Sequence, residues 1–261
     1  MAAFLADHPD MPNVWAELGS AYMQMDRLED AEEAFTNSLR LAESARVRRQ
    51  YAQLLFDLAR MDEALIEIEK SLIVDPKDSE MYRLRGVIFY QKDDIEAVES
   101  LNKSIDLDPT RAYPLVTLGG ILMLTGKTDE SEQYYRKAIA LAPDDDYVKV
   151  ACALYATERG WLKESQSMLN SALEDSPENI EVRRFLATAY FKDNNASGAL
   201  AQYLTCLELD PEDPDCHNDI GVLYEHMGLL SQAAQEYQDA LDLDPEHEKA
   251  HTNLDRVNQK L

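Results

Sequence analysis

Two strings in this chain have residue types and spacings that could do chemistry. His247-Glu248-Lys249-Ala250-His251 matches H-E-x-x-H, which on one helix face sets two imidazoles on zinc beside a general-base carboxylate. Here the string follows Pro245 and crosses a turn into the last helical segment. His247 is therefore expected outside the helix, and no third ligand accompanies it. The second string, Gly119-Gly120…Gly126-Lys127-Thr128, approaches a phosphate-binding loop, G-x-x-x-x-G-K-[ST], which must follow a strand. Gly120 starts one residue too early and Gly119 two, and the intervening Ile121-Leu122-Met123-Leu124 reads as helix. Gly119 then reads as a packing glycine and Gly126 as a turn. Cys152, Cys206 and Cys216 form no spaced motif and read as core thiols suited to a reducing compartment. No nucleophile, base or cofactor constellation follows, so the expectation is no enzyme, no cofactor and no metal.

The elements that would position these residues follow a ladder. Pro76, Pro109, Pro143, Pro177, Pro211 and Pro245 recur at intervals of 33 and then 34 residues, the mark of a stacked array. About twelve residues before each stands a small residue, from Ala64 through Ser131 and Ser165 to Ala233, and Ala31 begins the column with Glu43 in the proline's place. Four places later comes a large one (Phe35, Ile68, Leu101, Tyr135, Leu169, Tyr203, Tyr237) and three later another small one (Ser38, Ser71, Ser104, Ala138, Ala172, Cys206, Ala240). These steps share one helical stripe. An earlier stripe opens each unit, and Gly126, Gly160, Asn194 and Gly228 lie between the two as left-handed turn residues. Each unit reads as helix, turn, helix, stopped by its proline.

Trp15-x-x-Leu18-Gly19-x-x-Tyr22, followed by Ala31, Phe35 and the proline ladder, resembles the tetratricopeptide repeat family, and the match covers almost the whole chain. The resemblance implies an all-α fold, a right-handed α-solenoid of stacked helix-turn-helix tetratricopeptide repeats. Seven units are expected, at about 12–44, 45–77, 78–111, 112–145, 146–179, 180–213 and 214–247. Residues 248–261 read as a capping helix with Leu254, Val257 and Leu261 on its apolar stripe. Ala3, Phe4 and Leu5, followed by Pro9, read as the tail of a truncated preceding repeat over 1–11, so the chain reads as a fragment of a longer protein. The repeat argues for one elongated domain without interior linkers. Unit three is one residue short and leaves two registers for its first helix. One buries Met81, Leu84 and Ile88; the other buries Tyr82, Gly86 and Phe89.

Fifty acidic against 25 basic residues give a net charge of −25. That field repels phosphate backbones and anionic membranes and favours a cationic or apolar partner. No 18-residue apolar run is visible, and with its core thiols the chain is expected to be a soluble cytoplasmic protein.

At about 100° per residue, places 2, 5, 9, 12 and 13 of each first helix share a face away from places 4, 7, 8 and 11. In the family this face lines a concave groove. Here its middle is apolar and tyrosine-rich: Tyr82, Phe89 and Tyr90, then Tyr113, Val116, Met123 and Leu124, then Tyr147, Val150 and Leu154. Arg49 and Arg184 flank it, each able to receive an acidic end. Apolar patches rimmed by polar residues mark interaction sites, although these side chains could instead pack on the neighbouring helix. Ala16 and Ser20, or Val116 and Gly120, stand where the family's chaperone-tail binders carry a Lys/Asn carboxylate clamp, so that sub-function is disfavoured. The reading is a non-enzymatic scaffold holding an apolar or amphipathic, possibly basic, peptide or helix. Two alternatives stay open: self-association through the same stretch, and service as the regulatory or targeting arm of a larger enzyme.

Overall fold

The computed structural model describes residues 10–92 and 95–261, so the expected helix tail at Ala3–Leu5 lies outside the described residues. Among those residues the chain is all-helical. The helices are α1 (Pro12–Gln24), α2 (Leu28–Leu41), α3 (Ala45–Asp57), α4 (Met61–Val74), α5 (Ser79–Gln91), α6 (Glu96–Leu107), α7 (Ala112–Leu124) and α8 (Thr128–Leu141). They continue with α9 (Asp146–Glu158), α10 (Leu162–Asp175), α11 (Ile180–Lys192), α12 (Ala196–Leu209), α13 (Pro214–His226), α14 (Leu230–Leu243) and α15 (Glu248–Asn258). The chain divides into two compact units, residues 1–137 and 138–261. No helix of the described residues is long and apolar enough to cross a membrane.

The turns explain why the helices pair. Gly126, Gly160 and Gly228 take positive φ, as do Asp26, Ala59 and Asn194. In each the following amide reaches back five residues, as from Lys127 to the Leu122 carbonyl (2.8 Å) and Arg60 to Leu55 (2.8 Å), satisfying a carbonyl the helix end leaves open. Gly is absent from the α3–α4 turn, and Ala59 carries the left-handed geometry at φ 57°. At the far end of each pair the residues after the proline begin the next helix: the side chains of Asp78, Asp145, Asn179 and Asp213 accept the amides of Met81, Val148, Val182 and Cys216.

The small-residue columns are the contact line within a pair. Ala31, Ala64, Ala199 and Ala233 are fully buried. Gly221 shows why the first helix needs a small residue too: an added Cβ would lie 2.5 Å from the Tyr237 ring. The second small column also ties helices together. Ser38 donates to the Pro12 carbonyl (2.8 Å) and Ser104 to that of Ser79 (2.8 Å).

Each first helix is buried on a second side as well. Met81, Leu84 and Ile88 are fully buried and cluster with Ile68 and Leu72 of α4. This is the first of the two registers open for unit three, yet Gly86 of the second is buried too, beneath Leu101. The α5 helix meets α4 on one side and α6 on the other, so neither stripe alone describes it. At the C-terminal end Ala250 and Val257 of α15 are buried against α14. Asn253 there donates to Asn218 of α13 (2.8 Å).

Candidate functional site

In the first compact unit the residues expected on the groove separate into two sets. Tyr90, Tyr113 and Leu124 stand exposed, Leu124 by 70%, and Met123 is half-buried. Val116 is instead buried to 5%, so it presents no open contact surface. Tyr82 and Phe89 also leave the expected face. Phe89 packs against the Ala97–Leu101–Leu122 cluster, with the Arg85 guanidinium 5.1 Å from its ring centroid. Tyr82 lines a polar cleft with Arg85, Glu96, Glu99, Lys103 and Asp106. Both turn toward α6 because Gly86, on their stripe, is the residue over which Leu101 closes.

In the second unit three expected residues come together. Tyr147, Val150 and Leu154 of α9 line a cavity of about 420 Å³, with Ala151, Val182 and Phe185 as further apolar walls. Asp146, Ser176, Asn179 and Glu181 form its polar edge. Tyr147 is 57% exposed at the mouth. Val182 and Phe185 of α11 were not foreseen, because they lie off the face counted along a single helix. A count along two consecutive first helices would have found them, since the cavity is the space between.

The fifth place of α3, α11 and α13 has a different duty. Arg49 pairs with Asp78 at the start of the next helix (2.7 Å). Arg184 of α11 reaches Asp215 (3.4 Å) and Asp219 (3.2 Å) of α13. Asn218 accepts from Asn253 of α15. At these three places the column looks onto the helix two further along the chain. Both arginines thus already carry a carboxylate of the following repeat, Arg49 through Nε alone while its side chain stays 43% exposed. Burial pushes the Asp219 carboxyl up despite Arg184 beside it. Asp215 is held low: burial works against its charge, but Arg184 and His247 outweigh that.

Two carboxylates, Asp146 and Glu181, line the second unit's cavity. Lys149 is buried, with its ammonium 2.9 Å from Asp146 and 3.5 Å from Asp175. Its pKa is raised by the hydrogen bond to Asp146, against desolvation. Asp144, Glu174, Glu178 and Glu181 are exposed nearby in the chain.

The two enzyme-like strings are structural. His247 is the N-cap of α15: its Nδ1 accepts the Ala250 amide (3.1 Å) and its Nε2 faces Asp215 (3.2 Å). His251 Nε2 donates to the Pro245 carbonyl (2.9 Å). Gly119 lies beneath Tyr135 and its carbonyl accepts Ser131 Oγ (2.7 Å), while Gly126 is the positive-φ turn. The three cysteines are buried and stand outside any disulfide.

This combination of paired helices, left-handed turns and small-residue contact columns defines a tetratricopeptide solenoid. Models described as tetratricopeptide repeat match residues 16–74, 112–145 and 214–247, and one described as TPR repeat matches 187–228. The chain belongs to the tetratricopeptide repeat family. It is 32% identical over 93 residues to the human protein O-mannosyl-transferase TMTC1, covering 34% of this chain and 10% of that protein. It resembles a chain of the APC/C hetero-tetramer Cut9-Hcn1 with a TM-score of 0.72 and 18% identity, over 93% of this chain and 52% of the other. It also resembles PilW, a type IV pilus biogenesis factor, with a TM-score of 0.72 and 19% identity, over 82% of this chain and 100% of the other. The match thus spans a tenth of the transferase. At these identities the solved structures show a shared fold. Proteins of the family bind protein partners.

Proposed function

We propose that this chain is a non-enzymatic scaffold that holds an apolar or amphipathic, basic-flanked segment of a partner protein. The segment lies on the open places of its first helices. The α9–α11 cavity carries the reading: it is apolar inside, has an exposed tyrosine at its mouth, and is edged by carboxylates. Tyrosine suits such a mouth because its ring offers apolar area while its hydroxyl stays wet. The seven units at 12–44 through 214–247, with 248–261 as cap, are the frame on which these helices repeat. Buried thiols that form no disulfide favour a reducing compartment such as the cytoplasm.

The experiment is selection of displayed helical peptides on the intact chain, followed by affinity measurement. Burying one large apolar side chain is worth about 1.5–3 kcal/mol, so Tyr147→Asp is expected to weaken selected peptides by roughly tenfold or more. Helix content by circular dichroism should be unchanged. Undiminished binding by this variant would place recognition elsewhere. Association of the chain with itself, abolished by Tyr147→Asp, would show that a second copy fills the cavity.

The transferase match favours a second reading, in which these repeats are the targeting arm of a longer enzyme. Sequencing the native reading frame on both sides of this segment tests it directly, since the reading requires a catalytic domain in the same polypeptide.

A further inference from the structure

We propose that His217, Glu236 and Asp239 form a binding site for a divalent transition-metal ion, with zinc as the expected occupant. His217 lies on α13, and Glu236 and Asp239 lie three residues apart on α14, so both carboxylates share one face. One donor atom from each of the three falls within 4.8 Å of the others. All three residues are half-buried. His217 Nδ1 and Glu236 Oε2 are 2.9 Å apart with little of either side chain exposed, a separation that suits two adjacent ligands on one ion as well as it suits a hydrogen bond. Zinc holds nitrogen and carboxylate oxygen at roughly 2.0–2.2 Å, so donors within 4.8 Å of one another lie close to what one ion needs; Asp239 Oδ1 meanwhile accepts from Gln235 (2.8 Å). That bond is exposed and cheap to exchange.

The donor set selects the class of ion. One imidazole nitrogen with two carboxylates suits zinc, cobalt or nickel, whereas magnesium prefers oxygen ligands and keeps its waters. The acidic surface raises the local cation concentration. An ion bound here joins α13 to α14. This site is separate from the α9–α11 cavity and from the H-E-x-x-H string, whose His247 has both ring nitrogens engaged.

The test is calorimetric titration of zinc chloride into the chelator-washed intact chain, with magnesium chloride as a control. One zinc equivalent is expected, with no comparable magnesium heat. His217→Gln and Asp239→Asn should each weaken zinc binding at least tenfold, and zinc should raise the melting temperature of the parent but of neither variant. His251→Ala should leave both readouts unchanged. Should His217→Gln fail to fold, Asp239→Asn decides, because Asp239 is held by the exposed Gln235. Equal affinity in parent and Asp239→Asn would overturn the site and leave His217–Glu236 as an ion pair. Loss of zinc in His251→Ala would move the metal to the C-terminal turn and overturn it too.

Discussion

At the scale of the residue, side chains that look alike in a pattern do opposite work. Arg49 and Arg184 read as receptors for a partner, yet each is occupied by carboxylates of the next first helix. His247 reads as a zinc ligand and is a helix cap. Removing such a cap costs about 1 kcal/mol. His247→Ala should therefore lower native-state hydrogen-exchange protection of the Ala250 amide by roughly fivefold. The exposed His251→Ala should change it little. Equal loss in the two variants would contradict the cap.

At the scale of the element, the turn between helices decides how well a pair closes. Ala59 sits at φ 57°, where its Cβ meets the neighbouring carbonyl at a cost of about 1–2 kcal/mol. No tertiary contact requires that Cβ, since Ala59 is exposed. Ala59→Gly should stabilise the α3–α4 pair by about 1 kcal/mol, measured as slower exchange of amides in α3 and α4. An unchanged or faster exchange would mean that the unfolded chain's added freedom cancels the relief.

The last helix shows a pH-dependent joint. Glu225 of α13 accepts from Arg256 (2.7 Å), Lys260 (2.8 Å) and Tyr237 (3.0 Å). The hydrogen bond from Arg256 is the main cause holding its carboxyl down at about 2, with Lys260 and Tyr237 adding to it against desolvation. A carboxylate depressed in the folded state contributes stability above its unfolded pKa, near 4.5, and loses it as pH falls toward 2. Protection of α15 amides should fall across that window, and Glu225→Gln should flatten the response.

At the scale of the whole molecule, stability in a repeat array is a sum over neighbours. Deleting residues 248–261 strips Ala250 and Val257 from α14 and Asn253 from Asn218. Exchange in α13 and α14 should rise while helices α1–α7 are unaffected. A uniform rise through the chain would instead indicate a single cooperative unit. The charge of −25 acts at this scale too: binding of a basic segment should weaken with added salt, through slower association.

The sequence by itself determined the helices, their pairing and their turns. Each depends on local chemistry: proline cannot extend a helix, glycine accepts positive φ, and a 4-and-3 spacing puts Ala31, Phe35 and Ser38 on one stripe. The exposed Tyr90, Tyr113, Leu124 and Tyr147, and the cavity-lining Val150 and Leu154, were legible for the same reason, being on one face of their own helices. Tertiary structure alone decided what lies between helices. Val116 is buried to 5% although it lies on the same counted face. Tyr82 and Phe89 turn aside because Leu101 closes over Gly86. Phe185 enters the cavity and His217 meets Glu236 only when separate helices are set side by side. A single-helix count fixes direction around one axis, and it carries no information about which neighbour stands there.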